Sequence, residues 1–361
     1  MYGELSDAAL GFLLGPTGLL PFLHANTIVE LTKNVDFANF GLFAAALVFT
    51  RLPFELAANS FGLASENTVL SIGNYNVKPI LYSCLAAMVV SILFFPFYSL
   101  TAGFIAPILK PIAGFLLVVV FTCFIVTQEN KFSTLTISLL AGAVGVITLE
   151  KNISNSLFIL LTGLFAVPML FEKQEKTALE LTNKNISWKH TVIGSVIGMS
   201  SAFLPAMTPA FLTSIAFGVI GKKEDFLTLN AAVVGSRLVS DFAAVEFIRK
   251  GRSGATAKML ENNFFTFTEI ATLLLIGLVC AAVAAFVIIK FEHKMPKIHE
   301  NKLFLGGALA LVTAYIFATS GVVGIACLAV CSLVGLTCIS NSVNKGALGA
   351  AVLFPALLHA F

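Results

Sequence analysis

Charge is scarce in this chain. Only 11% of its 361 residues are Asp, Glu, Lys or Arg, against about 25% in a soluble domain. So few charges cannot cover a surface that faces water, which excludes a soluble enzyme. Tryptophan occurs once and tyrosine five times, whereas phenylalanine occurs 34 times. No GxxxxGK[ST] phosphate loop is present, so nothing points to a nucleotide-driven pump. The six cysteines, at 84, 123, 280, 327, 331 and 338, all lie in apolar stretches. They form no Cys-x-x-Cys pair and no Cys/His cluster, which leaves neither a zinc site nor a disulfide framework. A net charge of +3 is too small to call for nucleic acid. The first segment has acidic flanks, Glu4 and Asp7, and no small-residue cleavage site follows it. It therefore reads as an inserting segment, not a cleaved signal.

Apolar side chains fill the remainder. Hydrophobic residues make up 58% of the chain and the mean hydropathy is +0.94. The expected class is all-α: a polytopic integral membrane protein whose first partner is the lipid bilayer. At about 20 apolar residues per span, the length accommodates roughly 10–12 segments. Apolar windows fall near 8–32, 37–61, 77–98, 103–127, 132–149 and 154–171. They resume near 191–221, 225–248, 264–291, 302–319, 321–340 and 345–361. The longest polar stretch, 172–190, separates a first membrane half (1–171) from a second (191–361).

The two halves share an ordered set of features. The first window carries Gly11-x-x-x-Gly15, then Leu20-Pro21, then His24, Asn26 and Thr27. The seventh carries Gly194-x-x-x-Gly198, then Ser200 and Ser201, Leu204-Pro205 and Thr208. Arg51 with Glu55 follows in the first half, and Arg237 with Asp241 in the second. An i, i+4 spacing puts each charge pair on one helical face. Two structural repeats are expected, in an inverted arrangement, each opening on a helix interrupted by Gly and Pro. Proline removes a backbone donor and breaks a helix. Broken backbone at membrane depth survives only where protein or a water-filled cavity satisfies its polar groups. Half-helix N-termini attract anions, so Pro21, His24, Asn26, Thr27, Ser200, Ser201, Pro205 and Thr208 are candidate substrate-binding positions.

Charges inside apolar windows are costly, at least ~2.5–3.5 kcal/mol on insertion scales, and are usually paired or functional. Two readings of Arg51–Glu55 and Arg237–Asp241 stand open: self-neutralised pairs that lock helices, or an anion anchor (Arg237) with coupling carboxylates (Asp241, Glu55). Glu66, followed by Asn67 and Thr68, either joins such a cavity or belongs to a loop.

At these residues the chain resembles the TctA family, the large membrane subunit of tripartite tricarboxylate transporters, in its archaeal branch. The carriers of the resemblance are Leu20-Pro21-Phe22-Leu23-His24-Ala25-Asn26-Thr27, the stretch Phe61 to Ser71, Gly251-Arg252-Ser253-Gly254-Ala255, and Lys345-Gly346-Ala347-Leu348-Gly349 to Pro355. Phe22 and Ala206 stand where that family has a glycine after its proline. The resemblance implies a secondary transporter for a di- or tricarboxylate, coupled to Na⁺ or H⁺, and no enzyme. It implies no cofactor beyond Na⁺ as a coupling ion. Its implied partners are a small membrane subunit and a substrate-binding protein; a second copy of the chain is a further expected partner. Two other classes fit the residues: a polyprenyl-phosphate (lipid carrier) transporter, and a membrane enzyme acting on lipids. Against the enzyme, His24 is the only histidine inside an apolar window before the C-terminus.

Overall fold

The computed structural model describes residues 2–19, 28–29, 32, 35–60, 77–151, 153–171, 187–201, 203, 208–220, 226–249, 251, 253–262, 265–291 and 302–359. The described chain is all-α. Helix α1 (Tyr2–Leu14) tightens into a 3₁₀ turn, Gly15–Leu19. Then come α2 (Phe40–Ser60), α3 (Val77–Leu93), α4 (Phe95–Thr127) and α5 (Lys131–Glu150). Helix α6 (Ser156–Leu161) passes through a π-helical turn, Thr162–Ala166, into α7 (Val167–Phe171). The second half holds α8 (Trp188–Ser200), α9 (Pro209–Ile220), α10 (Phe226–Phe247), α11 (Gly254–Asn262), α12 (Phe267–Phe291) and α13 (Lys302–Ser340). A 3₁₀ turn, Lys345–Gly349, leads into α14 (Ala350–Leu358).

Among the described residues, four stretches are long and apolar enough to cross a membrane: Phe40–Ala57, Lys131–Glu150, Phe267–Phe291 and Leu309–Ser340. The last of these runs through Gly321, whose backbone is non-helical (φ 62°, ψ −155°). Gly324 lies against Ile316, eight positions earlier, a separation of about 12 Å along an unbroken helix at 1.5 Å per residue. The chain therefore folds sharply at Gly321, and the expected division between windows 302–319 and 321–340 is real. Only glycine takes this positive φ without strain.

Polarity is arranged inside out. Large apolar side chains face outward along α4, α5, α12 and α13, among them Phe104, Ile108, Phe132, Phe286, Leu311 and Val322. Buried polar groups concentrate on the inner helices: Thr50, Arg51 and Glu55 on α2, Asn230, Ser236, Ser240 and Asp241 on α10. That distribution suits a lipid surround.

The packing does not follow the division into sequence halves. One hydrophobic core joins α2 and α3 of the first half to α10, α11 and α12 of the second. A second joins α4, α5 and α6 to α9, α13 and α14, with Val233 of α10 reaching into it, and a smaller third joins α6 and the π turn to α13. In the first bundle α2 packs on α12 while α10 packs on α3. Small residues permit both approaches: Gly277 meets Phe49, and Gly235 meets Cys84. The second bundle repeats the exchange. Gly145 on α5 lies against the backbone of Ala351, and Gly335 on α13 against that of Leu164. Hydroxyl groups add cross-links within the first bundle. Ser83 on α3 donates to the Thr228 carbonyl (2.9 Å) and shares a hydrogen bond with Thr191 on α8 (2.8 Å).

Two expectations shift. The polar stretch 172–190 ends earlier than expected, because Trp188, Lys189 and His190 form the first turn of α8. His190 is buried, with Nδ1 2.6 Å from the Ser187 hydroxyl, and is no loop residue. The break expected near 99–102 falls at Phe94 instead, one residue before Phe95 and Pro96 open α4; a proline fits at a helix start, where its missing N–H costs nothing.

Candidate functional site

The site begins with two parallel helix pairs. Gly11 of α1 presses on the Phe43 carbonyl, Ala46 and the Leu47 amide of α2. Gly194 of α8 presses on the Leu229 carbonyl, Ala232 and the Val233 amide of α10. A single offset in the numbering carries Phe43 to Leu229, Ala46 to Ala232 and Leu47 to Val233. One turn on, Gly15 meets Thr50 and Gly198 meets Ser236, and the same offset carries Thr50 to Ser236. The GxxxG faces let backbones touch, which fixes the register of each pair. In both pairs the contacts advance in the same direction along the two helices, so α1 runs parallel to α2 and α8 parallel to α10.

A parallel neighbour requires the intervening chain to reverse. In the second half that chain is the break after Ser200 followed by α9. Helices α8 and α9 have 13 and 12 residues, about 20 Å each at 1.5 Å per residue, short of a ~30 Å hydrocarbon core. Thr208 caps α9: its Oγ1 accepts from the Phe211 amide (3.3 Å) and Pro209 occupies the first helical position. Threonine at the cap and proline after it are the residues such a start favours.

This register carries the charge pairs to a common place. A cavity of about 210 Å³ is lined by Arg51 and Glu55 of α2 and by Arg237 and Asp241 of α10. Val48 and Leu52 line it beside the first pair, and Val234 and Leu238 beside the second. The offset that relates the glycine contacts also relates these four lining positions on α2 to the four on α10. Facing them are Leu157, Leu161, Leu164 and Phe165 from α6 and the π turn, and Leu348, Gly349, Ala351 and Val352 from the 3₁₀ turn and α14. Non-α turns thus border the cavity on this wall, in a setting where π turns are often functional. Thr208, Pro209 and Ser253 complete the lining, and they bring the N-termini of α9 and α11 to the cavity. The cavity lies between the two bundles, with α2 and α10 on one side and α6 and α14 on the other.

The two charge pairs differ in detail. Arg51 donates through Nε to Glu55 Oε1 (2.8 Å) and through one terminal nitrogen to Thr17 Oγ1 (3.1 Å). Arg237 stands 3.8 Å from Asp241 Oδ1, an ion pair without hydrogen-bond geometry.

Of the expected site residues, Arg51, Glu55, Thr208, Arg237 and Asp241 come together in this cavity. Ser200 and Ser201 do not line it. Each hydroxyl bonds back to its own helix, to the Ile197 and Gly198 carbonyls, and is satisfied there. Pro21, His24, Asn26, Thr27, Glu66 and Pro205 lie outside the described residues. The apolar wall from α6 and α14 went unforeseen, as did Ser253 and Thr17. A signal for that wall does exist: Leu161-x-x-Leu164-Phe165 in the first half and Leu348-x-x-Ala351-Val352 in the second repeat one pattern.

Comparison of the chain with family models, curated proteins and solved structures finds no match.

Proposed function

We propose that this chain is a multi-pass protein of the cell membrane that carries a small organic anion across the bilayer, coupled to Na⁺ or H⁺. One observation carries the reading. Two Arg/acid pairs, equivalent by sequence position, converge on one cavity between two helical bundles. A protein that only scaffolds has no use for a cavity lined by four costly charges. In the proposed roles Arg237 attracts the substrate anion and the N-terminus of α9, with Thr208, adds partial positive charge. Asp241 and Glu55 are the coupling carboxylates. The TctA resemblance supports a carboxylate carrier, with di- or tricarboxylates as that family's substrates and a substrate-binding protein and a small membrane subunit as partners; a second copy of the chain is a further proposed partner.

The matched contacts of Gly11 and Gly194, and of Gly15 and Gly198, support an internal duplication. The parallel pairing of α8 with α10 supports a re-entrant hairpin at the head of the second half. A hairpin in each half leaves five crossings apiece, and an odd number inverts the second repeat against the first. Because each core draws on both halves, alternating access on this reading moves one bundle against the other. The sequence repeats themselves do not move as units.

The test is uptake into vesicles reconstituted with the pure protein. The labelled anions are acetate, isovalerate, succinate and citrate, each under an imposed pH or Na⁺ gradient. Accumulation that follows one gradient and collapses with an ionophore supports the carrier and names the ion. If no anion enters and only a polyprenyl phosphate stabilises the protein, the lipid-carrier reading replaces it.

A further inference from the structure

We infer that the substrate carries a single anionic group on a compact aliphatic body, a monocarboxylate rather than a di- or tricarboxylate, and that Arg237 is its anchor. The inference rests on the carrier reading above and narrows it.

The two guanidinium groups occupy equivalent places but offer different things. The Arg51 side chain is 3% exposed. Its Nε and one terminal nitrogen are engaged by Glu55 and by Thr17, whose hydroxyl is itself held by the Leu14 carbonyl (2.6 Å). Ser200 follows Gly198 as Thr17 follows Gly15, so it is the equivalent position. Ser200 repeats the backward bond, to the Ile197 carbonyl (2.7 Å), but is exposed and makes no bond to Arg237. The Arg237 side chain is 18% exposed, and among the described residues its one polar partner is Asp241, across the loose ion pair. One twin is thus locked and the other is open toward the cavity. A carboxylate that approaches Arg237 can replace Asp241 with the short charge-assisted bonds that this pair lacks.

A second carboxylate on the same molecule would find no second open guanidinium, and the remaining polar lining, Thr208 and Ser253, is already engaged at the starts of α9 and α11. The facing wall of Leu157, Leu161, Leu164, Phe165, Leu348 and Val352 presents only carbon from its side chains. An ionised carboxylate buried there without a partner carries a heavy desolvation cost. The same wall favours an aliphatic body, at about 25 cal/mol per Å² of apolar surface removed from water. Charge balance agrees. Two arginines with one glutamate and one aspartate leave the cavity formally neutral. A monoanion therefore adds a single charge, which one proton on Asp241 or one Na⁺ offsets, whereas a trianion adds three.

Thermal unfolding of the full-length protein in detergent tests this, with isovalerate, succinate and citrate as probes at fixed pH and ionic strength. The expected result is a rise in Tm with isovalerate and none with the other two. Arg237→Gln should raise the apparent Kd for isovalerate by at least about tenfold, the scale of a lost charge-assisted bond. Thr17→Val, which alters the locked twin alone, should retain the isovalerate shift; its loss there would assign the anchor to Arg51 and overturn the inference. Should Arg237→Gln fail to fold, Arg237→Lys serves, with weaker but measurable binding. A larger shift with succinate or citrate, abolished in the Arg237 variants, overturns the single-anion inference and leaves the carrier standing. If none of the three shifts Tm and none enters vesicles, both fall.

Discussion

Arg51 and Arg237 sit on equivalent helices, yet their removal should have different costs. Arg51 is buried against Glu55 and Thr17, so Arg51→Met takes the cation away from a buried carboxylate. Breaking a buried pair on one side typically costs about 3–5 kcal/mol, while replacing both partners by apolar groups is often neutral. Thermal unfolding should show Arg51→Met strongly destabilised and Arg51→Met/Glu55→Leu close to the parent. A single variant as stable as the parent would mean that the Glu55 carboxylate does not depend on Arg51. Arg237→Met should cost less, because its ion pair is longer and its side chain more exposed. Asp241 is where coupling is expected. Asp241→Asn should abolish gradient-driven accumulation while preserving exchange of labelled for unlabelled substrate across vesicles. Loss of both together would make Asp241 a structural residue only.

The paired helices depend on glycines at close approach. Gly15→Leu and Gly198→Leu each push a side chain into the helix alongside, and overpacking of this kind costs typically about 1–3 kcal/mol. Gly306, on α13, has open space around it, and Gly306→Leu should leave stability within about 0.5 kcal/mol of the parent, as at an ordinary surface position. Gly321 also has open space, but its backbone (φ 62°, ψ −155°) lies in a region essentially reserved for glycine, so Gly321→Ala should cost about 1–3 kcal/mol from backbone strain alone. Equal stabilities across these four variants would refute the packing scheme. Much of this level was legible in the sequence. The two GxxxG faces and the i, i+4 charge pairs announce themselves as residue types at fixed spacings, and their shared order places Arg51 and Arg237 in equivalent positions. The apolar wall from α6 and α14 was not legible, because Leu and Val at helical spacing look the same whether they face lipid, core or cavity. Ser200 and Ser201 misled for a related reason. A serine hydroxyl near a helix end can serve a ligand or its own backbone, and only the geometry tells which.

The whole molecule is held together by exchange between its halves. No core is complete without helices from both, so a chain cut within the polar stretch 172–186 should behave in a particular way. Fragments 1–171 and 187–361 expressed together should assemble and co-purify, while each alone should aggregate or be degraded. Independent stability of either fragment would contradict the shared cores. The exchange has a further consequence during biosynthesis. Helix α2 carries Arg51 and Glu55 into the bilayer, but its packing partner α12 ends at Phe291. At roughly 5–20 residues per second, the ribosome needs on the order of ten seconds or more to deliver that partner. Through that interval α2 stays in the bilayer without α12 beside it. Because Glu55 lies one turn from Arg51 on the same helix, the charge is answered within the segment that brings it, and α2 can wait for a partner not yet made.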